Sequence, residues 1–89
     1  MKIHKYKVDI SDFSTPICVR KGYKIVHVGL QGGNIYAWIL FDQHEEDKRF
    51  IRLWVFGTGH LIPNNLTFVQ TVQDKELGLV WHVFEGKND

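Results

Sequence analysis

Glycine and proline interrupt this chain so often that no window of about a dozen residues carries apolar side chains at i, i+3 and i+4, the stripe a surface helix buries. Between the interruptions lie apolar runs of strand length. KIHKYKV (2–8) alternates His4, Tyr6 and Val8 with Lys5 and Lys7, the period of two expected of a half-buried strand. PICVR (16–20) predicts a short second strand, whose Pro16 donates no ladder hydrogen bond and suits a strand start or an edge. YKIVHVGLQ (23–31) and IYAWILF (35–41) flank Gly32-Gly33-Asn34, a tight-hairpin signal because these residues accept positive φ. IYAWILF is apolar on both faces, which predicts a central strand covered on both sides. DQHEEDK (42–48) reads as a charged hairpin tip.

RFIRLWVF (49–56) sets Arg49, Ile51, Leu53 and Val55 against Phe50, Arg52, Trp54 and Phe56. LTFVQTVQ (66–73) and LVWHVFE (79–85), joined by the turn DKELG (74–78), complete the set. These runs and their short connections predict an all-β chain with at most one short helix, a small antiparallel sandwich or barrel of about six to seven strands. Residues 1–85 form the single domain and 86–89 a frayed polar tail.

A chain of 89 residues buries only roughly 60–65% of its unfolded surface, so its stability is modest without help. Cys18 is the only cysteine, which removes an intrachain disulfide and a Cys-based zinc site. A well-packed core or self-association is the remaining aid, and an aromatic content of 13% leaves rings over for an interface; a homo-oligomer is expected. A formal net charge of +1 argues against a strong nucleic-acid binder and against an acidic DNA mimic. The start MKIHKYKV is not of signal-peptide type and no apolar run has membrane-spanning length, so a soluble protein of a reducing cytoplasm, without a membrane partner, is expected.

The longest connection, 57–65, holds Gly57-Thr58-Gly59-His60. Glycines at alternate positions leave the backbone open, and successive N–H groups can form a concave anion site to which Thr58 adds a hydroxyl and His60 an imidazole. The dinucleotide fingerprint is absent, because Ile62 stands where its third glycine belongs, and no P-loop Lys-Ser or Lys-Thr follows. The competing reading is a tight strand exit in which His60 caps the backbone. His82 falls on the face of the last strand opposite Leu79, Trp81 and Val83, beside a possible aromatic platform, or else as a half-buried side chain bonded to backbone. Arg52 and Trp54 extend the candidate ligand set of Gly57, Thr58, Gly59, His60 and His82 by a phosphate partner and a stacking surface.

His27, His60 and His82 lack any metal-ligand spacing, and no metal or other cofactor is expected. No nucleophile, base and orienting residue occur together: G-x-S-x-G is missing, and Cys18 in an apolar strand reads as an inert core residue. No catalytic residue is therefore assigned, and the chain reads as a binder rather than an enzyme.

Lys5-Tyr6 in the first strand, Trp38 to Asp42, GTGH at 57–60 and VWHVFE at 80–85 together resemble a family of short phage and prophage proteins of unknown function, over most of the chain. The chain departs from that pattern in the charged QHEEDK segment. The resemblance implies a phage protein in the host cytoplasm and no particular activity. Sequestration of a nucleotide-derived immune signal is the leading expectation. Docking on a host defence or nucleic-acid-processing protein, and a minor structural or assembly role in the phage, are the alternatives.

Overall fold

The computed structural model describes residues 1–88. Among them are seven strands and no helix: β1 (Lys2–Val8), β2 (Thr15–Arg20), β3 (Lys24–Gln31), β4 (Asn34–Phe41), β5 (Lys48–Gly57), β6 (Thr67–Asp74) and β7 (Leu79–Asn88). They form two antiparallel sheets, ordered β1-β4-β3 and β2-β5-β7-β6. The two sheets face each other as a sandwich and do not close into a barrel. The Cα extents of 41 × 29 × 16 Å describe a thin slab, as two sheets about 10 Å apart require.

The core is aliphatic. Ile35, Ala37 and Ile39 of β4 and Val28 of β3 face Ile17 and Val19 of β2, Ile51 and Leu53 of β5 and Val83 of β7. β-Branched residues dominate because they pack well on a pleated, half-buried surface. β3 and β6 meet along one side of the slab, where the Val28 N–H donates to Gln70 Oε1 at 2.9 Å. Both strands carry a register shift, at Ile25/His27 and at Phe68/Gln70, and such irregularities twist an exposed edge out of reach of other strands.

Four expectations need correction. β4 is central in its sheet, but only its inner face is covered, and Tyr36, Trp38 and Leu40 stay half-exposed on the outer side. Its two apolar faces reflect one core face and one outer aromatic face. Residues 42–48 are not a hairpin tip, since β4 and β5 lie in different sheets. The segment crosses between them, held by the Lys21 N–H to the Asp47 carbonyl at 2.8 Å and by the Arg20 guanidinium on the Glu45 carbonyl. Residues 86–88 are not a tail, because β7 continues to Asn88, pairing Gly86 with Arg52, Lys87 with Ile51 and Asn88 with Phe50. Asp89 lies outside the described residues. Cys18 is exposed rather than core: alternation buries its neighbours Ile17 and Val19 and turns the thiol outward.

Candidate functional site

β5 and β7 have ten residues each, whereas the strands of the opposite sheet have seven or eight. Their surplus length forms a cleft. Arg49 is in phase with the core residues Ile51 and Leu53, and Glu85 and Lys87 are in phase with Val83, yet none of the three is buried. They occupy the inner face of the sheet where the other sheet no longer covers it. Tyr23 supplies the facing wall. The resulting cleft has a volume of about 610 Å³, with Ile25, Ile51 and Val69 as its apolar floor and Phe50 and Phe68 at its rim. Both phenylalanines are more than half exposed, at 54% and 55%.

Lys21, Lys24, Arg49 and Lys87 surround this cleft, against one carboxylate, Glu85. The Tyr23 hydroxyl donates to the Glu85 carboxylate. Burial of the phenol, then that hydrogen bond, then the glutamate charge raise the Tyr23 pKa well above its ordinary value, so Tyr23 remains a neutral donor. Among the described residues the one ion pair is Arg49–Asp47, an exposed contact at 3.5 Å. Lys21, Lys24 and Lys87 form no ion pair among the described residues. Three lysines and an arginine lining a cleft with an apolar floor can hold an anion that carries a flat or apolar part.

The Gly57–His60 loop lies at the other end of β5. The Gly57 N–H donates to His60 Nδ1 at 3.1 Å, and the His60 N–H donates to the Gly57 carbonyl at 3.2 Å. The first bond fixes the tautomer, with Nδ1 unprotonated. The His60 ring rests on Gly57, where an added Cβ would lie 3.2 Å from Cε1, and Gly59 has φ +92°. Both glycines are thus used by the turn itself, one for close approach and one for positive φ. Thr58 Oγ1 is 2.9 Å from His82 Nε2, and Thr71 Oγ1 is 3.0 Å from His82 Nδ1, so both ring nitrogens of His82 are engaged.

The sequence-derived candidates fall into two groups here. Thr58 and His82 meet directly, and His60 and Trp54 line a common groove of about 470 Å³ with Ile10, Asp12, Leu61 and Trp81. That groove holds a carboxylate, Asp12, and no lysine or arginine, which disfavours an anion. Arg52 is directed elsewhere, with its guanidinium 3.1 Å from Ser14 Oγ. His27 sits on the opposite sheet, 5.3 Å ring to ring from Trp38. Among the described residues no three His, Cys, Asp or Glu side chains are placed to hold a metal ion.

A family model described as a domain of unknown function, DUF7352, matches residues 1–89. The chain belongs to that family. No curated protein matches it, and no solved structure does.

In this DUF7352 chain the cleft residues were missed by motif reasoning because no motif contains them. Lys21, Tyr23, Lys24, Arg49, Glu85 and Lys87 come from three separate segments. One signal was present. A strand whose core-facing phase reads Arg49-Ile51-Leu53-Val55, and another that reads Trp81-Val83-Glu85-Lys87, each place charge on a buried phase. Charge there costs several kcal/mol unless the strand outruns its cover, so such strand ends mark an overhang.

Proposed function

We propose that this protein is a binding module that sequesters a nucleotide-type anion in the cleft between Tyr23 and Lys87. The single observation carrying the reading is the grouping of Lys21, Lys24, Arg49 and Lys87 around an apolar floor, with Glu85 in the cleft and Asp47 beside Arg49 as the carboxylates against them. Phosphate oxygens pair with the cations, Arg49 offering a planar fork and the lysines mobile point charges. The base stacks on Phe50 or Phe68 at the rim, an interaction worth about 1–3 kcal/mol per base. Glu85, anchored by Tyr23, accepts a hydrogen bond from a ribose hydroxyl or an exocyclic amine and penalises ligands that bring only negative charge.

The phage setting implied by the sequence resemblance gives the ligand its biological identity: a nucleotide-derived signal of host defence, removed by binding rather than by chemistry. Incubating the purified chain with a nucleotide extract of host cells, washing, denaturing and analysing the released small molecules by mass spectrometry tests the reading. Release of a stoichiometric phosphate-bearing nucleotide is expected, and its loss from a Lys24→Glu, Arg49→Glu variant. Protein that releases none overturns it.

A further inference from the structure

We propose that the free edge of β1, with the pocket beside it, binds an extended acidic segment of a partner protein as an added strand. This site lies apart from the Tyr23–Lys87 cleft and does not depend on that reading. The two sheets have four edge strands, and three of them are blunted. β3 and β6 carry register shifts and meet each other. β2 holds Pro16, and the crossing segment is tied to its end through Arg20 and Lys21. β1 alone is continuous. Its seven residues pair with β4 in unbroken register, include no proline, and make no other backbone hydrogen bond among the described residues. Every second residue of such an edge turns its N–H and C=O outward, and only another extended backbone matches that alternation.

The pocket lies between this edge and β2, the edge of the other sheet, and has a volume of about 160 Å³. His4 and Tyr6 line it, and both share the phase of the buried Val8, so they face the opposite sheet. Alternate side chains of a strand added to β1 take the same phase and reach the pocket. There Val19 and Phe41 offer apolar contact to a methylene stem, and Arg20 and Lys48 offer two cations to its carboxylate. A glutamate meets both. Arg20 donates to the Glu45 backbone carbonyl and packs over the Phe41 ring at 5.8 Å, contacts that leave its charge unneutralised. Lys48 forms no ion pair among the described residues. No carboxylate lines the pocket. Those of the adjoining segment are engaged within it: Asp42 accepts from the His44 N–H, Glu45 from the Asp47 N–H, and Asp47 pairs with Arg49.

Charge also selects the kind of strand. β1 carries Lys2, Lys5 and Lys7. Pairing with a second copy centred on Lys5, the register that uses the whole strand, would set lysine directly against lysine, which is destabilising. The same side chains attract an acidic strand. Lys5 donates to Gln31 Oε1 at 2.7 Å and lies over the Tyr36 ring, which holds its position and keeps its charge. A nucleic acid would satisfy the cations and leave the backbone edge unmatched.

Fluorescence anisotropy of a labelled peptide of about nine alternating glutamate and valine residues tests the proposal. Saturable binding is expected, with amide NMR shifts at residues 2–8, 18–20 and 48. N-methylation of alternate peptide residues removes the donors of one peptide edge; in one phase it abolishes binding, and in the other it leaves binding intact. Replacing the glutamates of the peptide by lysine abolishes binding. Lys48→Glu, at an exposed position, keeps the β circular-dichroism spectrum and weakens binding about tenfold. Lys24→Glu with Arg49→Glu, in the other cleft, leaves it unchanged. Absence of saturable binding at about 1 mM peptide overturns the proposal. So does equal binding by both N-methylated forms, an unchanged affinity in folded Lys48→Glu, or displacement of the peptide by a single-stranded oligonucleotide. Hydrogen exchange that finds every β1 amide protected in the free protein, the sign of a second copy on this edge, overturns it as well.

Discussion

At the Gly57–His60 end of the sandwich, donors and acceptors answer one another: Gly57 with His60, Thr58 and Thr71 with His82. At the Tyr23–Lys87 end, one hydrogen bond ties Tyr23 to Glu85, while Lys21, Lys24 and Lys87 stand without ion pairs among the described residues. Both ends have the chemical vocabulary of an anion site. Only the second has several cations, Lys21, Lys24 and Lys87, without an ion pair among the described residues. Glycine-rich loops with a histidine and a threonine are persuasive in sequence because their donors are counted before anything is known of who accepts from them. The comparison teaches that an end whose groups are mutually satisfied contributes to stability, and an end whose groups are unmatched is available for binding.

The sharpest way to break this comparison is charge reversal in the cleft. Lys24→Glu with Arg49→Glu turns two attractive contacts into repulsive ones. Nucleotide affinity measured by calorimetry is expected to fall at least a hundredfold, about 2.7 kcal/mol. The melting temperature should change by only a few degrees, as surface substitutions usually allow. Next in size, His82→Ala removes two hydrogen bonds from the opposite end. A loss of about 1–2 kcal/mol is expected, lowering the melting temperature by roughly 5–10 °C with cleft affinity unchanged.

The Tyr23–Glu85 bond sharpens the comparison through pH. Tyr23 has a raised pKa when folded, so its contribution to stability is fully present below about pH 10, where an unfolded tyrosine keeps its proton. Above that pH the unfolded chain releases a proton that the folded chain retains, and stability falls as pH rises. Denaturant melts from pH 9 to 11 should show the wild type losing stability faster than Tyr23→Phe, with a difference of up to about 1.4 kcal/mol per pH unit. An equal decline in both proteins would place the effect elsewhere. The smallest expected effect is that of His60→Ala, which removes one exposed turn bond: about 1 kcal/mol or less of stability and no change in nucleotide affinity, read by thermal melts and calorimetry on the same samples.

Much of the fold was legible in the sequence because strand alternation is a local property. Gly32-Gly33-Asn34 marks the β3–β4 hairpin, and the phase of Ile51, Leu53 and Val55 marks the core face of β5. Sheet membership was not legible. That DQHEEDK crosses between sheets instead of turning within one depends on β5 pairing with β2 and β7, a long-range choice that no local residue encodes. The same limit hid the site. Arg49, Glu85 and Tyr23 become neighbours only once β5, β7 and the start of β3 are in place. The GTGH loop was visible early because all of its residues are consecutive, and being consecutive is also what lets them satisfy one another.

The central claim, that ligand is held at the Tyr23–Lys87 end, is tested most directly by titrating the isotope-labelled chain with ATP as a general nucleotide probe and following its amide resonances by NMR. The account predicts shifts concentrated at residues 21–25, 49–51, 67–69 and 85–87, saturating with ligand and weakening as salt is raised, with residues 57–60 unmoved. Shifts centred on residues 57–60, or none in the cleft at millimolar ATP, would contradict it.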